Sequence, residues 1–294
     1  MDHQLDKEQI MKKLIAVDLD ETLLRRDKTY DRERFLQINE RLNDRGDMLC
    51  VATGNSYHKL SDYFNLHDIH DLYLACDNGT ILLKGDEVIY QHGLDYPLVR
   101  QLVEDLSQNP KLHPVLSNGF HSYFTYTTQD ALDYIKRYNN DLTVLERHHE
   151  IPDKNFLNVS IYSELSFEEN KGLIQRIMDQ YPNVSAVTSG DAWMDIYVAD
   201  GGKGTAIRYL QDKYQIKKEN TMAFGDSLND MSMMQAVGYS IAMENADPEL
   251  KRHCRYQVGS NEEQSVLSTI ERYLSEGDLD FMQEYKLNSE VTHG

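Results

Sequence analysis

Near both ends of the chain, apolar residues fall in unbroken runs that stop abruptly at polar ones. Leu14-Ile15-Ala16-Val17 stops at Asp18, and Met48-Leu49-Cys50-Val51-Ala52 stops at Thr53-Gly54. Leu72-Tyr73-Leu74-Ala75-Cys76 stops at Asp77-Asn78-Gly79. Thr221-Met222-Ala223-Phe224 stops at Gly225-Asp226, and Tyr239-Ser240-Ile241-Ala242-Met243 at Glu244-Asn245. Runs that are apolar at successive positions, not at alternate ones, predict strands covered on both faces. Stretches with helical periodicity lie between several of them, over 31–45, 57–64, 204–214 and 228–236. That alternation predicts an α/β fold with a parallel sheet and helices on both sides. Ligands of such sheets collect beyond the carboxyl ends of the strands, which is where the polar stops fall.

The middle of the chain reads differently. A helix is expected over 96–106 and another over 166–180, with strands over 121–126, 156–162, 184–188 and 192–198, the last alternating. This mixture predicts a separate α+β unit. The expected organisation is a discontinuous, Rossmann-like α/β core (1–85 and 195–275), an inserted α+β unit (86–194) and an acidic polar tail (276–294) that frays.

Composition narrows the function. A chain of 294 residues with 40% hydrophobic content suits two domains or one with a large insertion. A formal charge of −19 repels a nucleic-acid backbone, and Lys217-Lys218 and Lys251-Arg252 are too short to form a basic patch. A phosphorylated small molecule remains compatible, given a metal ion and one or two local cations. No apolar run reaches the roughly 18 residues of a membrane span. Residues 1–10 lack the apolar middle of a signal peptide. Cys50, Cys76 and Cys254 form no CxxC pair; Cys50 and Cys76 sit in strand-like runs, so buried thiols and a cytoplasmic setting are expected.

Four strings carry candidate chemistry. Asp18-Leu19-Asp20-Glu21-Thr22 sets two carboxylates at i and i+2 beyond a strand, one able to attack phosphorus, the other to handle a proton. Acids also open ordinary loops. Thr53-Gly54-Asn55 offers a hydroxyl and backbone N–H groups ahead of a helix, suited to phosphate oxygens or to a plain cap. Gly201-Gly202-Lys203-Gly204 brings one lysine to a helix start, to neutralise nucleophile and phosphate or to sit in a turn. Gly225-Asp226-Ser227-Leu228-Asn229-Asp230 places Asp226 for Mg²⁺ or for a helix cap, with Asn229 and Asp230 to tune the ion's surroundings or to secure Lys203. Each string follows a strand-like run, and a parallel sheet gathers such ends.

With these residues the chain resembles the haloacid dehalogenase-like hydrolases, in particular the Cof-type sugar-phosphatase branch, over about residues 12–272. The matching strings are DLDETLL at 18–24, ATGN at 52–55, DNGT at 77–80, GGKGTAI at 201–207 and GDSLNDMSMM at 225–234. The resemblance implies a Mg²⁺-dependent phosphatase that hydrolyses small phosphorylated metabolites through an aspartyl phosphate. It implies Asp18 as nucleophile and metal ligand, and Asp20 as general acid/base and metal ligand through its carbonyl. Thr53 and Lys203 then hold phosphate, Gly54, Asn78 and Asn229 lie on the substrate side, and Asp226 binds metal. The insertion becomes a cap that selects substrates. A phosphotransferase or phosphomutase shares the same intermediate, and a non-catalytic metabolite-binding regulator shares the fold; neither substrate nor oligomeric state is fixed. Two positions depart from the family pattern: Glu21 where glycine is usual, and Asn55 where arginine is usual.

Overall fold

The computed structural model describes residues 12–65, 68–139, 141–188 and 192–287. In chain order the elements begin with β1 (Leu14–Asp18), α1 (Arg32–Arg45), β2 (Met48–Ala52), α2 (Tyr57–Leu60), β3 (Tyr73–Cys76), β4 (Ile81–Lys84) and β5 (Glu87–Gln91). Next come α3 (Tyr96–Leu106), β6 (Leu112–Ser117), β7 (Ser122–Thr125), α4 (Gln129–Ile135), β8 (Leu142–Leu145), β9 (Asn158–Ser163), α5 (Phe167–Gln180), β10 (Val184–Thr188) and β11 (Trp193–Val198). The last are α6 (Lys203–Tyr214), β12 (Thr221–Gly225), α7 (Met231–Ala236), β13 (Tyr239–Ala242), α8 (Pro248–His253), β14 (Tyr256–Gln257) and α9 (Ser265–Glu276).

Among the described residues the strands form two sheets. The larger has the order β14-β13-β12-β1-β2-β3-β4-β5. It is parallel from β14 to β3 and ends in an antiparallel hairpin, β4–β5. β1 lies inside it, and every residue of Leu14–Asp18 is buried, which is why that run is apolar without alternation. Chain order reverses on either side of β1: β2 and β3 follow on one flank, β12, β13 and β14 on the other. The carboxyl ends of β1 and β12 therefore meet at a topological switch point, the crevice where such sheets bind ligands.

Local signals set the helix ends. Asp31 caps α1 by accepting from Arg34 N–H at 3.2 Å, and Gly46 closes it at φ +77°. Ser166 and Glu169 form a capping box at the start of α5.

The smaller sheet has the order β10-β11-β9-β6-β7-β8 and is mostly antiparallel. One face packs against α3 and α5 through Leu102, Leu106, Ile174 and Ile177; the other takes Leu132 and Ile135 of α4 against Val115 and Phe124.

Several boundaries move. The larger sheet runs to Gln91 and the smaller one to Val198, so the sheets divide beyond the 85 and 194 read from sequence. β6 escaped the sequence reading because His113-Pro114 interrupts its apolar run; Pro114 nonetheless sits in the ladder opposite Ile161. Nor do residues 276–287 fray. Leu279, Phe281 and Met282 are buried between the acids, and Leu287 N–H reaches Arg255 C=O at 2.9 Å. Residues 1–11 and 288–294, which the expected core and tail include, lie outside the described residues. The three cysteines are free and buried. No described helix is long and apolar enough to cross a membrane.

Candidate active site

Asp18 closes β1, and Lys203 opens α6 after Gly202, whose φ is +101°. Gly204 has no Cβ, and one built there would collide with Ser232 backbone; α6 can thus press against α7 and carry Lys203 inward. The lysine is fully buried, and its Nζ lies 2.5 Å from Asp18 Oδ1 and 2.6 Å from Asp230 Oδ1. The other oxygen of Asp230 accepts from Asp226 N–H at 3.0 Å and Ser227 N–H at 3.2 Å. These bonds fold the 226–230 segment back over β12 and delay the helix expected from 228 until Met231. A side chain at Gly225 would meet Asp230 Oδ2 at 2.5 Å, so the glycine makes room for that fold-back. Asp226 Oδ1 accepts from Thr22 Oγ1 at 3.1 Å. Asp18, Asp226 and Asp230 each offer an oxygen, all within 4.8 Å of one another.

Three carboxyl groups thus cluster in a buried site, two of them bonded to one ammonium. Burial first, and then Asp230, push the Asp18 carboxyl up to about 7, with Lys203 pulling the other way. Burial, reinforced by Asp18 and Asp230, raises Asp226 well above the carboxylate range. Burial opposes the charge on Lys203, but Asp18 and Asp230 outweigh it and hold the ammonium above its usual value. The cluster sets three carboxyl groups around one ammonium.

The second group of residues adjoins the first. Thr53 is buried at the end of β2, and its Oγ1 accepts from Asn55 N–H at 3.0 Å and Asn55 Nδ2 at 3.1 Å. Its carbonyl accepts from Asn78 N–H at 2.9 Å. A side chain on Gly54 would meet Asn78 Oδ1 at 3.3 Å, and Asn229 Nδ2 donates to that same oxygen at 3.2 Å. Thr53, Gly54, Asn78 and Asn229 therefore form one patch beside the acids.

Asp20 stands apart. Its oxygens take Lys28 Nζ at 2.8 Å and Asn55 Nδ2 at 2.7 Å, and its side chain is 39% exposed. The Asp20 carboxylate is not part of the acid cluster. Asn55, the departure from arginine, links Thr53 to Asp20. Glu21, the departure from glycine, has φ +56°, a left-handed conformation that glycine adopts freely and other residues at a cost of about 1 kcal/mol. Asn245 Nδ2, donating to Glu21 C=O at 2.8 Å, helps to hold it there.

The sequence assigns no role to Lys28 or Asp195, whose local strings do not point inward, nor to Asp77, although Asp77 stands where the third apolar run ends. Asp77 is buried at φ +46°, and Asp77 Oδ2 has no hydrogen-bond partner. Burial pushes its carboxyl up to about 7. In the folded chain Asp77 keeps its proton to about pH 7, whereas the unfolded chain releases it near 3.8. The native state therefore binds the extra proton across that window, and stability falls as pH rises through it. Asp77→Asn, which cannot ionise, should remove this slope. Urea titrations should show the variant gaining on the wild type by a few kcal/mol between about pH 4 and pH 8; parallel profiles would show that Asp77 is ionised in the fold.

Fold and site together define a two-sheet α/β protein whose parallel core gathers its acids at the switch point. The comparisons with known proteins agree. The family described as haloacid dehalogenase-like hydrolase matches residues 15–270. A similar curated protein is the 5-amino-6-(5-phospho-D-ribitylamino)uracil phosphatase YbjI of Escherichia coli (strain K12), 28% identical over 264 residues, 89% of this chain and 96% of that one. Another is the HMP-PP phosphatase of Yersinia enterocolitica, 27% identical over 282 residues, 94% of this chain and 100% of that one. Among solved structures, SMU.1108c from Streptococcus mutans UA159 superposes with a TM-score of 0.83 at 25% identity, covering 90% of this chain and 99% of that one. The chain belongs to the haloacid dehalogenase-like hydrolases. Like its named relatives, it is a phosphoric monoester hydrolase.

Proposed function

We propose that the protein hydrolyses a small phosphorylated metabolite through a phospho-aspartate on Asp18, with Mg²⁺ as its metal. One observation carries this reading. Asp18 shares a buried site with Lys203, Asp226 and Asp230, where three carboxyl groups face one ammonium. The donors are all oxygen, the set that suits a hard divalent cation. Asp18 and Asp226 would hold Mg²⁺ by side chain, and Asp20 by its carbonyl. Bound there, the ion supplies positive charge to the nucleophile and to the transferring phosphoryl group.

The chain's own residues supply the steps. Lys203, held by Asp230, neutralises Asp18 as the phosphate approaches, while Thr53 and Gly54 orient the phosphate oxygens and the Asn78–Asn229 pair packs beside them. An Asp18 oxygen forms a bond to phosphorus as the ester P–O bond breaks. Asp20 turns from Lys28 and Asn55, takes up a proton from solvent and passes it to the departing oxygen. Water then attacks the phosphoryl group, Asp20 takes the water's proton, and the Asp18–phosphorus bond breaks. The inserted unit covers this site and selects the leaving group. The relatives' names point to phosphorylated ribityl and pyrimidine compounds, and the branch resemblance to sugar phosphates.

A panel of sugar phosphates, nucleotides, pyridoxal phosphate and flavin mononucleotide tests the reading. Phosphate should be released from some of them, fall to background with EDTA and return with Mg²⁺. Release unaffected by chelation would remove the metal from the reaction. Transfer to an added sugar in place of water would make the enzyme a phosphotransferase. Asp20→Asn should slow both formation and hydrolysis of the phospho-enzyme, by about two to four orders of magnitude in single-turnover measurements. If only one of the two slows, the shared acid/base role is wrong.

A further inference from the structure

The smaller sheet presents a polar face to the core loops. Its register pairs Ser117 with Asn158 and Ser160 with Asp195. Asn158 and Ser160, two residues apart on β9, point to the same side. Asp195 is the hub: its Oδ1 accepts from Ser160 Oγ at 2.6 Å and Asn158 Nδ2 at 3.3 Å. Its Oδ2 accepts from Asn78 Nδ2, in the core, at 3.1 Å. Asp195 and Asn78 are both buried.

Both oxygens of Asp195 accept, so Asn78 turns its NH₂ toward the inserted sheet, which leaves Asn78 Oδ1 facing Gly54 and Asn229. That oxygen receives Asn229 Nδ2, and Asn229 Oδ1 in turn receives Ser227 Oγ at 2.7 Å. The polarity of the whole chain, Asp195–Asn78–Asn229–Ser227, follows from the acceptor at its head. Its far end is the residue next to Asp226.

We propose that Asp195 is a positioning residue of the inserted unit, which fixes the amide orientation of Asn78 and, through it, the Asn229–Ser227 segment beside Asp226. The inserted sheet then does more than cover the site: its docking completes the order of the phosphate-side loop. This rests on the hydrolase reading above for its consequence to turnover, but the relay itself does not.

The test separates the two. N78D, D195N and the double variant N78D/D195N form a cycle measured by urea denaturation in EDTA. N78D sets two carboxylates face to face, and D195N forces a donor against either Asn78 or Asn158. The double variant restores every pairing: the amide placed at position 195 can donate to one oxygen of the carboxylate placed at position 78, while Asn229 donates to the other. It should therefore be more stable than either single variant; additive losses would overturn the relay, whether or not any ester is turned over. For the catalytic consequence, D195A should lower kcat/KM for p-nitrophenyl phosphate by about tenfold to a hundredfold. The same change should add little in an N78A background, because the path is already cut. Wild-type kcat/KM in D195A, or full additivity with N78A, would leave the relay without a role in positioning. Failure of the wild type to cleave any ester would instead strike the hydrolase reading and leave the stability cycle to decide the relay.

Discussion

Replacing Lys203 by methionine is expected to destabilise the metal-free protein by about 3–5 kcal/mol at pH 8 and to abolish turnover. The ammonium is fully buried and bonded to Asp18 and Asp230 at 2.5 and 2.6 Å. Methionine fills much of the same space but carries no charge, so Asp18, Asp226 and Asp230 are left together in a buried site without their counter-charge. Taking up protons is the cluster's remaining relief, and low pH supplies them. The loss should accordingly shrink toward pH 5, since groups whose folded pKa is raised lend stability that persists at low pH and disappears as pH rises. Added Mg²⁺ should restore part of the lost stability by supplying the missing charge. Urea titrations at the two pH values, with EDTA or with Mg²⁺, check each part. Equal stability of variant and wild type at pH 8 would mean that Lys203 is not what makes the acid cluster tolerable.

Asp18→Asn should lower phosphate release by at least about four orders of magnitude while the fold survives. Asparagine matches aspartate in shape, and its carbonyl oxygen can still accept from Lys203, which keeps Asp230 as its anionic partner. What disappears is the nucleophile, together with one of the mutually repelling charges. The metal-free variant should therefore be no less stable than the wild type at pH 8, in contrast to the lysine variant. Rapid quenching with a ³²P-labelled ester should trap label on wild-type protein and none on the variant. Normal turnover by Asp18→Asn, or label retained on it, would move the nucleophile elsewhere.

The two substitutions act on the same 2.5 Å contact from opposite sides. One removes chemistry and keeps the scaffold; the other removes the charge that lets the scaffold hold three acids together.

Much of this arrangement was legible in the order of residues. The parallel strands announced themselves because a strand covered on both faces must be apolar at every position, and β1, β2, β3 and β12 all meet that condition. Asp18, Thr53 and Asp226 could be named because each stands where such a run ends, and Asn78 through the family resemblance. The structure shows why glycines stand after Lys203 and before Asp226: Gly204 lies against the Ser232 backbone and Gly225 against the Asp230 carboxyl group.

Other features were hidden because their causes are not local. Pro114 disguised β6, a strand whose neighbours β7 and β9 supply its ladder. The segment 279–287 read as an acidic tail, yet Leu279, Phe281 and Met282 find a surface to bury against. Glu21 read as a simple departure from glycine; the backbone angle at that position shows why glycine is usual there.

Sequence alone pointed to the α/β class and to a separate middle unit, through periodicity, and with the family resemblance to the acids, hydroxyl and lysine proposed to carry the chemistry. Tertiary structure decided which partner each of them has. It gave Lys203 to both Asp18 and Asp230, turned Asp20 toward Lys28 and Asn55, and set Asp195 of the inserted sheet against Asn78 of the core. Partners 117 or 185 residues apart in the chain share no periodicity that a string could display. Only the packing of the two sheets brings their side chains within hydrogen-bonding reach.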